Sequence, residues 1–196
     1  MSKSHKSLPG WTYTSDEFFE LEKKKLFLEN WQLVCHVSNI PHSGDYFTFE
    51  LFDQRIFAIR GKDSNVRIFH NVCSHRATKL LDEVSGNCSS KIICPYHAWA
   101  YDFEGNLTKV PYEDQFIDLQ KSTLNLKSVE MEVFQGFIFA RIAQSNGPSV
   151  ADQFQPYLEE LKPYRLEEME PLGRVTMRPR KVNWKQIADN YVDALH

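Results

Sequence analysis

Two short stretches, Cys73-Ser74-His75-Arg76 and Cys94-Pro95-Tyr96-His97, constrain this chain more than anything else in it. Each offers one thiol and one imidazole within a few residues, and eighteen residues separate His75 from Cys94. Cysteine and histidine at such spacing read as metal donors, because a short loop can aim both side chains at one place. Two chemistries accept this donor set. Tetrahedral zinc is one, but it usually takes a Cys-x2–4-Cys pair followed by a His pair, and each loop here is mixed. A two-iron, two-sulfide cluster is the other, with thiolates on one iron and imidazoles on the second. Neutral imidazoles would leave such a cluster less negative, and easier to reduce, than four thiolates would.

The rest of the composition narrows the setting. A length of 196 residues accommodates one full domain and part of another. With 14 Phe and 8 Tyr the chain has ample material for a core. A formal net charge of −3 offers no basic face for nucleic acid. No apolar run approaches the ~20 residues that span a bilayer, and Met1–Gly10 lacks the apolar stretch of a secretory signal. The chain therefore reads as soluble and cytoplasmic. In that compartment its four cysteines are not expected to form a disulfide framework. Cys35 falls in the apolar run Leu33–Val37 and reads as a packing residue; Cys88, between the two donor pairs, reads either as an incidental loop thiol or as a group near the metal.

Thr14-Ser15-Asp16-Glu17 has the pattern of a capping box and predicts a helix through Phe18, Phe19, Leu21, Leu26 and Leu28. Short runs rich in aromatic and β-branched residues follow: Gln32–Val37, Asp45–Phe52, Arg55–Arg60, Val66–His70, Lys91–Cys94, Trp99–Phe103 and Phe137–Ile142. Turn signals lie at Pro41–Gly44, Gly61–Ser64, Ser85–Asn87 and Glu104–Asn106. Such a pattern predicts a mainly β chain, an antiparallel sandwich preceded by a helix. Ser145-Asn146-Gly147-Pro148 marks a boundary. Beyond it, Ala151–Leu161 reads as a helix, Leu172–Lys181 as a strand and Asn183–His196 as a helix that stops with the chain. The expected division is residues 1–30 as a helical segment, 31–145 as the cluster domain, and 146–196 as the start of a further α+β domain cut short.

The cluster region resembles the Rieske domain of the Rieske non-haem iron oxygenases. That family's signature is Cys-x-His-Arg, then Cys-Pro-Tyr-His-x-Trp, then an aromatic strand ending Gly-x-Leu. Here these are Cys73–Arg76, Cys94–Trp99 and Tyr101–Leu107. The likeness runs from about Trp31 to Ile142, and Gly136-Phe137-Ile138-Phe139 is similar to the domain's closing strand. It implies a Rieske-type β-sandwich with Cys73, His75, Cys94 and His97 as cluster ligands. Respiratory Rieske proteins differ in carrying an extra cysteine in each loop and a serine two residues after the last histidine. Here Tyr96 stands between Cys94 and His97, and Trp99 takes the serine's place. Fewer hydrogen bonds to sulfur imply a potential toward the low end of the Rieske range, although Tyr101 is a candidate donor.

The stretch Asn183-Trp184-Lys185…Asp189-Asn190-Tyr191-Val192-Asp193-Ala194-Leu195-His196 resembles the opening of the same family's catalytic domain. Asp193 and His196 lie three residues apart, which places them on one helix face. The resemblance implies that His196 is the first ligand of a mononuclear Fe(II). It also implies that Asp193, the candidate catalytic residue, bridges it to a cluster histidine of a neighbouring subunit. Asp189 departs from the family's more usual Glu. A facial triad needs two histidines and a carboxylate, and the second histidine and the carboxylate would come after His196.

The implied function is the oxygenase component of a Rieske non-haem iron system, a mono- or dioxygenase of which this fragment alone would be inactive. Its partners would be an NAD(P)H-dependent reductase, a ferredoxin, O2 and a small aromatic or N/O-methylated substrate, in a homotrimer or α3β3 assembly with no nucleic acid or membrane. A Rieske ferredoxin-like electron carrier is the alternative, and Asn183–His196 discriminates, since a carrier has no use for that stretch. A zinc module is the third reading. His5, His36, His42 and His70 show no ligand spacing, and Glu159, Glu160, Glu167, Glu168 and Glu170 read as a solvated face.

Overall fold

The computed structural model describes residues 7–172 and 180–192. An N-terminal 3-10 turn (Gly10–Tyr13) leads into helix α1, Asp16–Glu22, which continues as a π-helical segment, Lys23–Leu28. The predicted helix is therefore present but changes winding midway. Its cap is Ser15 rather than Thr14: the Ser15 side chain accepts from the Phe18 backbone N–H at 3.2 Å.

Ten strands follow: β1 Gln32–His36, β2 Asp45–Leu51, β3 Gln54–Arg60, β4 Val66–His70, β5 Ser85–Asn87, β6 Ile92–Ile93, β7 Ala100–Tyr101, β8 Leu107–Lys109, β9 Glu130–Phe134 and β10 Phe137–Arg141. They form three antiparallel sheets, ordered β1-β10-β9, β4-β3-β2-β5 and β6-β7-β8. The four-stranded sheet is the middle layer, and β3 shows why. Ile56, Phe57, Ala58 and Ile59 are all fully buried. Ile56 and Ala58 pack with Val34, Ile40, Ile138 and Ala140 of the β1-β10-β9 side. Phe57 and Ile59 pack with Trp99, Tyr101, Phe103 and Leu107 of the β6-β7-β8 side. A strand buried on both faces loses the polar/apolar alternation and reads as a continuous apolar run.

Three strands are absent from the sequence expectation. Ser85–Asn87, read as a turn, is β5 and pairs with Asp45–Phe47. All three of its residues are exposed, so no hydrophobic pattern announces them, and only the neighbouring edge of β2 makes them a strand. β8 and β9 are similarly polar on one face. The Glu104–Asn106 turn is as predicted: Gly105 has φ +88°, and a Cβ there would meet the Phe69 ring at 2.5 Å.

After Gly147-Pro148 the expected Ala151–Leu161 helix is broken. Helix α2, Val150–Phe154, passes through a 3-10 turn at Gln155–Tyr157 into helix α3, Leu158–Leu161. Pro156 is the cause, because it supplies no N–H to the i−4 carbonyl. Helix α4 is described over Trp184–Val192, with the Asn183 side chain capping the Lys185 N–H at 3.1 Å. Residues 173–179 of the expected Leu172–Lys181 strand, the positions of Asp193 and His196, and His5 lie outside the described residues. No helix among the described residues is long and apolar enough to cross a membrane.

Candidate metal centre

The loops carrying the four predicted donors are built alike. In the first, Cys73 C=O accepts from the Ala77 N–H at 3.0 Å, and the Cys73 N–H donates to Thr78 C=O at 2.8 Å. In the second, Cys94 C=O accepts from Ala98 N–H at 3.0 Å, and Cys94 N–H donates to Trp99 C=O at 2.8 Å. Ala77 and Ala98 both adopt the left-handed conformation, φ 56°. Each loop is thus one tight turn closed in the left-handed region, a conformation that costs a non-glycine residue roughly 1–2 kcal/mol. The sequence hid this equivalence, because neither turn uses glycine and the histidine falls at different offsets from the cysteine.

The loops come from different hairpins. The first follows β4, and the second joins β6 to β7. Asn71, 1% exposed, anchors the first: its Oδ1 accepts from the Leu80 and Leu81 N–H groups at 3.1 and 3.0 Å, and its Nδ2 donates to Leu81 C=O at 2.7 Å. Tyr101 ties the loops together. From β7, fully buried, its hydroxyl lies 3.2 Å from Cys73 Sγ and accepts from the Ser74 N–H at 3.1 Å. With that N–H donating to it, the hydroxyl's own proton is free for the sulfur. Ser74 Oγ donates to Asn125 C=O at 3.0 Å.

The donors meet as two like pairs. Cys73 and Cys94, each 2% exposed, lie in the same buried cluster, and the Cys94 thiol is among the groups that push the Cys73 thiol up. The His75 and His97 rings lie edge to face with centroids 4.7 Å apart. Each imidazole has an aromatic partner: Trp99 stacks on His75 at 4.6 Å and 5°, and Tyr96 covers His97 at 3.8 Å and 33°. Trp99 is buried and Tyr96 exposed. Burial, the neighbouring His97 and the Arg76 charge all hold His75 below the usual imidazole range, which favours the neutral ring a metal binds. Burial pushes the Cys73 thiol up, while Tyr101 and the His75 N–H pull it down, so without a metal it stays protonated.

Buried polar atoms test what this site is for. Among the described residues, three buried side-chain polar atoms lack a hydrogen-bond partner, and two are His75 Nδ1 and His97 Nδ1. Such atoms are costly unless something bonds them. The remaining donors are two thiols, so the donor set fits a [2Fe-2S] group. Among the described residues no three His, Cys, Asp or Glu side chains are grouped so as to hold a single metal ion.

The other two cysteines stand apart. Cys35 is buried, with its thiol pushed up to about 12 by that burial. Cys88 packs against the core beside β5, its thiol raised to about 11 by burial. His36 is structural: its ring nitrogens lie 2.8 Å from Ser38 Oγ and 3.1 Å from Leu166 C=O. The five glutamates of the acidic face are exposed.

Stacked antiparallel sheets presenting two matched Cys/His turns define an iron–sulfur protein of the thiolate-plus-imidazole kind. The chain belongs to the Rieske [2Fe-2S] domain family, whose model matches residues 30–130. It is 35% identical to the carnitine monooxygenase oxygenase subunit of Acinetobacter pittii (strain PHEA-2), covering 97% of this chain and 51% of that protein. It is 30% identical to the glycine betaine monooxygenase oxygenase subunit of Pseudomonas aeruginosa (strain UCBPP-PA14), over 100% of this chain and 45% of that one. A solved structure of the quaternary ammonium Rieske monooxygenase CntA with L-carnitine matches with a TM-score of 0.88 and 34% identity, covering 97% of this chain and 54% of CntA. A naphthalene 1,2-dioxygenase with bound indole matches at 0.76, with 34% identity over 92% of this chain and 41% of its own. The chain spans about half the length of the curated relatives it matches.

Proposed function

We propose that Cys73 and Cys94 hold one iron of a Rieske cluster and His75 and His97, through Nδ1, the other, and that the chain is the cluster-bearing part of an oxygenase component. The observation that carries this is the pairing of two buried thiols with two buried, unpartnered imidazole nitrogens. The likeness to oxygenase subunits supports the second half, because it continues past the Rieske domain to cover 97% of the chain. A stand-alone electron carrier would need no such continuation.

When bound, the cluster supplies one-electron transfer from an NAD(P)H-dependent reductase, directly or through a ferredoxin, toward a mononuclear iron. The protein's own residues prepare for this. Tyr101 directs its hydroxyl proton to the Cys73 sulfur, which stabilises negative charge there. Trp99 shields one face of His75 from water. Tyr96 leaves the His97 side accessible at the surface, where a partner can approach. Asp193 is assigned to relay between a cluster histidine and His196, with His196 as a ligand of the mononuclear Fe(II). The substrate class is a small aromatic or N/O-methylated molecule that is hydroxylated or demethylated, and the assembly is a homotrimer or α3β3.

Iron and sulfide analysis with EPR of the reduced protein tests the cluster. Two irons, two sulfides and an EPR signal are expected per chain, and a colourless zinc protein would overturn the assignment. In the full-length protein, Asp193→Asn should leave that signal intact and slow single-turnover oxidation of the reduced cluster. An unchanged rate removes Asp193 from the path.

A further inference from the structure

A third loop closes over the donors without supplying any of them. It joins β8 to β9, and its Val110, Leu119, Leu124 and Leu126 pack in the same apolar cluster as Cys73, Cys94 and Trp99. Ser74 Oγ, in the first donor loop, donates to its Asn125 C=O at 3.0 Å. Phe116 reaches the donors themselves. Its ring stands edge-on to His75 and to Trp99, with centroids 6.4 and 6.1 Å away and planes at 78° and 74°. The next residue, Ile117, is 93% exposed against 38% for Phe116, so Phe116 is the one turned inward. Tyr112 and Asp118 flank this stretch at φ 53° and 55°. Left-handed backbone at a non-glycine residue persists only where surrounding contacts fix it, and Val110 and Leu119 anchor the chain on either side.

The two imidazoles are housed differently as a result. His75 meets Trp99 from the second loop and Phe116 from the third, whereas the ring over His97 is Tyr96, from its own loop and 61% exposed. Phe116 is nearly equidistant from His75 and Trp99. It therefore stands beside their stack and closes a flank that Trp99 leaves open. The difference bears on charge. With two thiolates and two neutral imidazoles, an oxidised [2Fe-2S] group is neutral and a reduced one is negative. Water stabilises the charged form, and burial disfavours it. Solvent at the histidine side thus favours reduction, and an apolar ring that keeps it out opposes reduction.

We propose that the β8–β9 loop, through Phe116, keeps water from the His75 side of the cluster and so holds its reduction potential down. The inference rests on the proposed assignment of the cluster to Cys73, His75, Cys94 and His97. A loop that only held the fold together would alter stability and cluster content when disturbed, but not the potential of the clusters that remain.

The test uses the full-length holoprotein and compares the parent with Phe116→Ala, Phe116→Gln, Phe116→Leu and Ile117→Ala. Two readouts are taken: the cluster's midpoint in a redox titration followed by EPR, and the rate at which a chelator bleaches its visible absorbance. Phe116→Ala should shift the midpoint upward and bleach several-fold faster. Phe116→Gln keeps the bulk but brings a polar group, so it should shift the midpoint the same way even where Phe116→Ala fails to retain the cluster. Phe116→Leu keeps an apolar side chain and should stay near the parent, as should Ile117→Ala, whose side chain faces solvent. The inference is overturned if the Phe116→Ala and Phe116→Gln midpoints match the parent, or if Phe116→Leu or Ile117→Ala shifts as far as they do. A parent without a [2Fe-2S] EPR signal would instead refute the cluster assignment, and the inference would fall with it. The parent spectrum separates the two failures.

Discussion

The Trp99 indole lies flat on the His75 imidazole, ring centroids 4.6 Å apart and planes 5° from parallel. The two residues belong to different loops, so this stack joins the loops beside the donors and covers one face of a proposed ligand. Trp99 is 3% exposed, and truncating a buried Trp to Ala costs about 3–5 kcal/mol. Trp99→Ala should lower stability by that amount and accelerate bleaching of the cluster's visible absorbance, while Trp99→Phe should retain most of both. A Trp99→Ala protein that bleaches no faster than the parent would show that the stack does not guard the cluster.

Tyr101 directs a hydrogen bond to the Cys73 sulfur at 3.2 Å. Hydrogen bonds to cluster sulfurs raise the potential by stabilising the added electron. Tyr101→Phe should therefore keep the cluster and shift its potential downward in a redox titration. The hydroxyl also accepts from the Ser74 N–H, so the variant should lose some stability too. An unchanged midpoint would mean that the bond does not persist once iron is bound.

Ala77 and Ala98 sit at φ 56° at the close of their loops. Glycine adopts this region without steric cost, and relief of strain partly offsets its greater entropy loss on folding. Ala98→Gly should leave iron content unchanged and stability within about 1 kcal/mol of the parent. Ala98→Val puts a β-branched residue where none fits well, and should lower the iron bound per chain. Full iron occupancy in Ala98→Val would show that the loop can close another way.

Arg141, with its side chain 6% exposed, donates to the Glu130 carboxylate through Nε and Nη2 and lies over Trp31 at 4.4 Å. The Arg141 hydrogen bond holds Glu130 below the usual carboxylate range. A depressed carboxylate contributes stability that is fully present above its unfolded pKa and is lost as pH falls through its folded one. Glu130→Gln should therefore cost about 1–2 kcal/mol near neutrality, a figure discounted because Glu130 is half exposed. The difference from the parent should shrink as the medium is acidified below about pH 4.3, the ordinary glutamate value. A cost that is equal at pH 7 and at the acid end would mean that the charge is not what matters.

The amino-acid sequence by itself determined the donor chemistry and much of the strand inventory. Cys73, His75, Cys94 and His97 were identifiable as candidate donors because two such side chains on one short loop are close whatever the rest of the chain does. The strands β1 to β4, β6, β7 and β10 were identifiable because each lies in its own apolar run. Tertiary structure decided what no local pattern encodes. β5 is a strand only because the edge of β2 is there to pair with it. Trp99, read from the sequence as the end of the second cluster motif and as a residue lacking a hydroxyl, became the cover on His75 once two hairpins met. The matched left-handed turns at Ala77 and Ala98 carry no glycine to announce them. Glu22 and Lys185 form a buried ion pair across 163 positions, and either alone reads as an ordinary surface charge. The physical reason is common to all of these. Spacing and propensity act over a few residues, whereas burial, stacking and ion pairing depend on partners that only chain closure brings together.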